Sequence, residues 1–230
     1  MKRLIALLGF LACMNFMVFA QEDTEKERIE TSWLSVGFNW GNNFNIGDDI
    51  GNFYSGSPGV NFSGYGFYNQ SKIGFFFNYG LMFPVVNNIE NGYSPIDQAD
   101  FLMGVGFRHE LNKKLNLHFG VGPNFNMYFL LNKVDNDVKA TDARYSFGIG
   151  GDIGLKFDLT DSIFIDVGTT LSYDFATYRT VDSTNDNWTN TKRESSGWIT
   201  NSFFGIKPYV AIGFNVYQKT SKAKLGKPKL

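Results

Sequence analysis

The side chains of this chain that could do chemistry are two histidines and a scatter of carboxylates and amines. Seven of them, Arg108, His118, Asp152, Lys156, Asp166, Asp174 and Lys207, fall on the polar half of a two-residue alternation. A group held there faces away from the apolar half, so these seven are expected to share one enclosed space. Two kinds of chemistry fit that arrangement. One is a path for protons, ions or a ligand; the other, which a narrow space favours, is an ion-pair network that fills it, because an unpaired buried charge is costly. No catalytic group is expected. Nucleophilic or acid–base work needs partners within hydrogen-bond reach, and His109 and His118 merely flank the short segment 111–114. Asp182 and Asp186 in VDSTNDNW, like Asp48 and Asp49, have the carboxylate density of a calcium loop without its full spacing, so they read as solvated loop charge. Neither metal nor cofactor is expected.

The elements that must position the seven are strands. LNLHFGVGPNFNMYFLL, from Leu115 to Leu131, carries apolar residues at every odd position, with Asn116, His118, Gly120, Gly122, Asn124 and Asn126 between them. A period of two places alternate side chains on opposite faces of a β-strand. The same alternation predicts strands over 33–45, 59–69, 73–86, 99–110, 144–158, 163–179 and 198–217, eight in all. Pro123 and Pro208 interrupt two of them, and a bulge or widened register is expected at each. The connections alternate in length. GDDIGNFYSGSP (47–58), NNIENGYSPIDQ (87–98), NKVDNDVKATDA (132–143) and the segment 180–197 are long, whereas 69–72, 111–114 and 159–162 are short.

Eight strands with short turns on one side and long loops on the other make an all-β, eight-stranded antiparallel up-and-down transmembrane β-barrel. A soluble barrel would bury its apolar face, but a water-facing exterior of Gly and Asn is unusual where Lys and Glu are the norm. The apolar face is therefore assigned to lipid and the polar face to the lumen. Trp33, Tyr145, Tyr178 and Trp198 are expected in aromatic belts near the strand ends.

GVGPNFNMYF (Gly120–Phe129), the strand meander and the closing KPYVAIGFNVY (207–217) resemble the small bacterial outer-membrane β-barrel superfamily, to which the membrane part of outer-membrane protein A and outer-membrane proteins W and X belong. The resemblance implies insertion by the barrel-assembly machinery into a Gram-negative outer membrane. It offers as alternatives a narrow channel for small hydrophobic molecules or a lipid A-modifying enzyme.

Composition agrees with a β protein: 24 Phe, 11 Tyr and 25 Gly enrich strand-forming and close-packing types. A net charge of −1 gives no case for nucleic acid. The N-terminus has the design of a signal peptide over 1–20, with a basic start at Lys2 and Arg3, an apolar core and a cleavage site at Val18-Phe19-Ala20. The single cysteine, Cys13, lies inside it, leaving the mature chain no disulfide chemistry. The expected organisation is 1–20 signal peptide, 21–31 periplasmic tether, 32–217 barrel and 218–230 basic tail. The expected role is that of a cell-envelope barrel, porin-like in build, structural or ligand- and surface-interacting rather than enzymatic. Its partners would be outer-membrane lipid and the assembly machinery, and it would act as a monomer.

Overall fold

The computed structural model describes residues 28–46, 56–67, 71–83, 93–135, 138–185, 191–199 and 202–219. The expected signal peptide lies outside these residues, as do most of the tether and tail. The strands are β1 (Arg28–Ile46), β2 (Ser57–Phe67), β3 (Ile73–Met82), β4 (Tyr93–Asn112), β5 (Leu115–Asp135), β6 (Val138–Asp158), β7 (Ile163–Asn185), β8 (Thr191–Ile199) and β9 (Ser202–Lys219). The first strand thus begins inside the expected tether, and the last ends two residues beyond Tyr217.

Neighbouring strands are antiparallel, in the order β6-β5-β4-β3-β2-β1-β9-β7-β8, and β6 also pairs with β7. That second pairing closes the sheet on itself. The lower half of β7 holds β9, from Ile163↔Phe214 to Asp174↔Phe203, while its upper half holds β8, from Thr177↔Ile199 to Thr184↔Thr191. The strand expected over 198–217 is thus one stave built from two segments, and the eight-stave reading stands.

Three expected loops are corrected in part. Segment 132–143 is mostly ladder, with Leu131↔Thr141 and Lys133↔Lys139 paired. Segment 180–197 supplies the tops of β7 and β8, and residues 93–98 belong to β4. The physical reason is common to all three. Alternation of apolar and polar residues marks a strand only where one face meets lipid or core; a ribbon wetted on both faces needs no such pattern.

The prolines also behave differently from expectation. Pro208 pairs with Thr169 and Pro123 with Ile149 without a register shift. On the other side of Pro123, the β4–β5 ladder keeps its register from Leu102↔Asn124 to Val105↔Val121. There Gly104 and Gly122 let the two backbones meet: a Cβ on Gly122 would collide with the Met103 carbonyl oxygen. The β6–β7 ladder does carry a bulge, opposite Phe147 and Gly148, where Phe175 is the extra residue. It swaps the inward parity of β7 from even (Asp174) to odd (Thr177) positions.

The two faces are distinct. Outward positions of β6 run Phe147, Ile149, Ile153, Leu155 and Phe157, all exposed. Ten residues at ~3.3 Å each, tilted ~40°, span roughly 25 Å, the height of an apolar barrel band. Inward positions are buried and mix Gly with Asn, Ser and Asp, but not exclusively. Trp33, Tyr65, Phe67, Phe76, Leu102 and Phe164 form an internal apolar cluster. The inward glycines accept the side chains of neighbouring strands: a Cβ on Gly120 would sit 2.5 Å from the Phe76 ring.

Candidate functional site in the barrel lumen

Of the seven charged residues, six are completely or almost completely buried on the inward face, and they fall into two groups. The first is centred on Asp152 of β6. Its Oδ2 accepts from the Tyr65 hydroxyl at 2.5 Å and the Tyr209 hydroxyl at 3.4 Å. Its Oδ1 accepts from Thr170 at 3.3 Å and Asn78 at 3.5 Å. His118 lies between two carboxylates, with Nε2 2.8 Å from Asp166 and Nδ1 3.4 Å from Asp152. The imidazole also packs edge-on against Tyr65 and Trp33.

Lys156 belongs to the same half. Its ammonium lies over the rings of Trp33 and Phe164, 5.0 and 4.9 Å from their centroids, and bonds Asp158 at 2.7 Å. Such a contact combines cation–π attraction with a charge-assisted hydrogen bond.

The second group lies nearer the long-loop end. Lys207 reaches Asp100 at 3.3 Å and the side-chain carbonyl oxygen of Asn126 at 3.4 Å. Asp174 accepts from Asn124 at 2.8 Å and from Asn126 at 2.6 Å. Asn126 therefore joins the Lys207–Asp100 pair to Asp174. Above it, Asn43 donates to Gln98 at 2.7 Å, and Tyr128 stacks on Phe203 at 4.9 Å.

Arg108 stands apart from both groups. It is half-buried at the short-turn end, its guanidinium 4.5 Å from the Phe67 ring centroid and its Nε donating to the Ser71 carbonyl.

Several members of the lumen lie beyond the seven. Tyr209 shares the inward parity of Lys207, and Trp33 that of Ser35, so the alternation carried the signal for both. Trp33 is a correction: its expected place is an interfacial belt, yet it is 1% exposed inside the lumen. Tyr65 sits in β2, where alternating Gly and Tyr obscure the faces. Asp142, Arg144 and Arg179 stand at the edges of segments that read as loops. Arg179 Nη2 bonds Asp142 at 2.7 Å and Arg144 Nη2 approaches it at 3.3 Å, so both guanidinium groups share one carboxylate. The other belt aromatics do face outward, where Tyr178 packs on Trp198 at 5.4 Å and Phe147 lies 6.4 Å from it.

Among the described residues no group of three or more His, Cys, Asp or Glu side chains could hold a metal ion. Asp182 pairs with Arg193 on the β7–β8 ribbon; Asp48, Asp49 and Asp186 lie outside the residues whose side chains are described. In that ribbon the Ser183 hydroxyl and the Lys192 ammonium hold the Glu194 carboxyl below its ordinary range.

Comparison with solved structures gives the fold a context. The chain is similar to a major outer membrane protein from Thermus thermophilus, with a TM-score of 0.52 and 13% identity over 80% of this chain and 99% of that one. It is likewise similar to Ail, the attachment invasion locus protein of Yersinia pestis, with a TM-score of 0.50 and 12% identity over 82% and 99%. No protein-family model and no curated protein matches the sequence. The likeness to the two solved structures is one of fold: an all-β, antiparallel up-and-down sheet resembling their eight-stranded barrels.

Proposed function

We propose that the chain is an integral protein of a bacterial outer membrane, with its short turns in the periplasm and its long loops outside. In this reading its role is structural or surface-interacting, and its lumen is a plug. The observation that carries the proposal is the pairing of a roughly 25 Å exposed apolar band with a filled polar interior. Phe38, Trp198 and Phe175 are 77%, 67% and 62% exposed, whereas Lys156, Asp166 and His118 are 0% exposed. Apolar surface on that scale is costly in water and stable in lipid. Buried charges are retained only where they are paired, and His118, Lys156 and Lys207 each have a carboxylate partner.

A narrow channel for hydrophobic molecules fits this interior less well. Its cross-section is occupied at two levels, by Trp33, Tyr65 and Phe164 in one half and by Tyr128, Leu130 and Phe203 in the other. A lipid A-modifying enzyme needs an available base, and His118 is committed to Asp166 and Asp152. Insertion by the barrel-assembly machinery and a monomeric state belong to the same proposal.

Membrane fractionation with SDS gels of unheated and heated samples tests it. The expected outcome is recovery with outer membranes and a faster band before heating. Soluble recovery with no shift would remove the proposal. In planar bilayers the folded protein should give no steps above background.

A further inference from the structure

The lysines whose side chains are described divide evenly. Lys156, Lys192 and Lys207 are paired with Asp158, Glu194 and Asp100. Lys72, Lys113 and Lys114 are exposed and have no ion pair among the described residues. All three unpaired lysines lie at the short-turn end: Lys72 just before β3, and Lys113 and Lys114 in the turn between β4 and β5. Those two connections are neighbours, because β3 pairs with β4 and the Lys72 carbonyl accepts the Arg108 amide at 2.9 Å. The third short turn, 159–162, carries Asp161 and no lysine.

The lysines also border the outward apolar band. Ile73, next to Lys72, is 56% exposed, and Leu111, two residues before Lys113, is 50% exposed. A long amine beside lipid-facing aliphatic surface extends its stem along that surface and its ammonium into the headgroup layer. Glu110 is the one carboxylate on this pair of connections and His109 its one imidazole. The C-terminal sequence after Val216 adds five lysines and no acid, whereas Gln21–Glu30 is acidic.

We infer that Lys72, Lys113 and Lys114 form a docking surface for the phosphate headgroups of acidic phospholipids in the leaflet at the short-turn end. The inference rests on the membrane reading above and adds to it a lipid preference confined to one sector of the barrel. Juxtamembrane lysines each contribute on the order of fivefold to binding of an anionic surface, so a preference of about tenfold or more is expected.

The test is native mass spectrometry of the folded full chain in detergent, titrated with phosphatidylglycerol or phosphatidylcholine of matched acyl chains. The wild type should retain phosphatidylglycerol at least about tenfold better, and K72Q/K113Q/K114Q should lose most of that preference. Heat-modifiable gel mobility, unchanged in the variant, establishes that it is folded. Three outcomes overturn the inference: no preference in the wild type, a preference undiminished in the variant, which would assign it to the tail, or displacement of the lipid by millimolar inorganic phosphate, which would mean a free-anion site. Each leaves the membrane reading standing. Failure of the wild type to fractionate with membranes would remove both.

Discussion

At the scale of single residues, Asp152 illustrates why the interior can carry charge at all. Its two oxygens face two tyrosine hydroxyls, a threonine, an asparagine and an imidazole. Asp152→Ala would leave these donors buried without their acceptor, a loss of about 3–5 kcal/mol for a broken buried ionic contact. Urea titration followed by unheated gel mobility should show the midpoint falling accordingly, and Asp152→Asn should fall less. Gly120→Ala is a second residue-scale case. The new methyl would meet the Phe76 ring at 2.5 Å, costing about 1–3 kcal/mol through overpacking; Gly120→Ala combined with Phe76→Leu should recover part of it. The charged positions were legible in the sequence because parity alone assigns a strand residue to a face. Their partners were not, since Asp152 and Tyr65 are 87 residues apart and meet only across the lumen. No local pattern encodes that distance.

At the scale of elements, alternation located all eight staves and the short turns that follow β4 and β6. It failed where strands rise above the apolar band, because Asn132–Ala143 and Thr180–Gly197 have no apolar face to betray them. The Phe175 bulge marks that boundary on β7, with regular inward parity below it and a ribbon above. Replacing residues 181–196 by a tight turn should therefore leave the barrel intact. The β7–β9 pairing from Ile163 to Asp174 lies wholly below the cut, and the unheated band and thermal midpoint should change little. Loss of the unheated band would mean that the ribbon holds the stave together. Within the ribbon, the depressed Glu194 carboxyl contributes stability that is present above its unfolded pKa and lost as pH falls through the folded one. Its protonation in acid should lower the protection factors of the ribbon amides, taken against the intrinsic exchange rate at each pH, while leaving those of the barrel unchanged.

At the scale of the whole molecule, the sequence conveyed a closed sheet with a greasy outside and a polar inside, but overstated the contrast. Alternation with apolar residues outward leaves no room for an aromatic interior, whereas Trp33, Tyr65, Phe67 and Phe164 fill it. Tryptophan quenching by brominated lipid distinguishes the two locations. A variant retaining only Trp198 should be strongly quenched and one retaining only Trp33 hardly at all, because the first is 67% and the second 1% exposed. Equal quenching would mean that the interior is open to lipid.

Asp152 also has a consequence for the order of assembly. Its polar neighbours come from β2, β3, β5, β7 and β9, so with β6 itself six of the eight staves meet at one carboxylate. The last of them, Tyr209, arrives only when β9 docks between β7 and β1. An open sheet already immersed in hydrocarbon would carry this anion with its coordination incomplete, a state that low-dielectric surroundings penalise heavily. On the membrane reading proposed above, ring closure and entry into the bilayer are thereby coupled. The carboxylate acts as a coincidence requirement, rewarding the complete circle and none of its fragments.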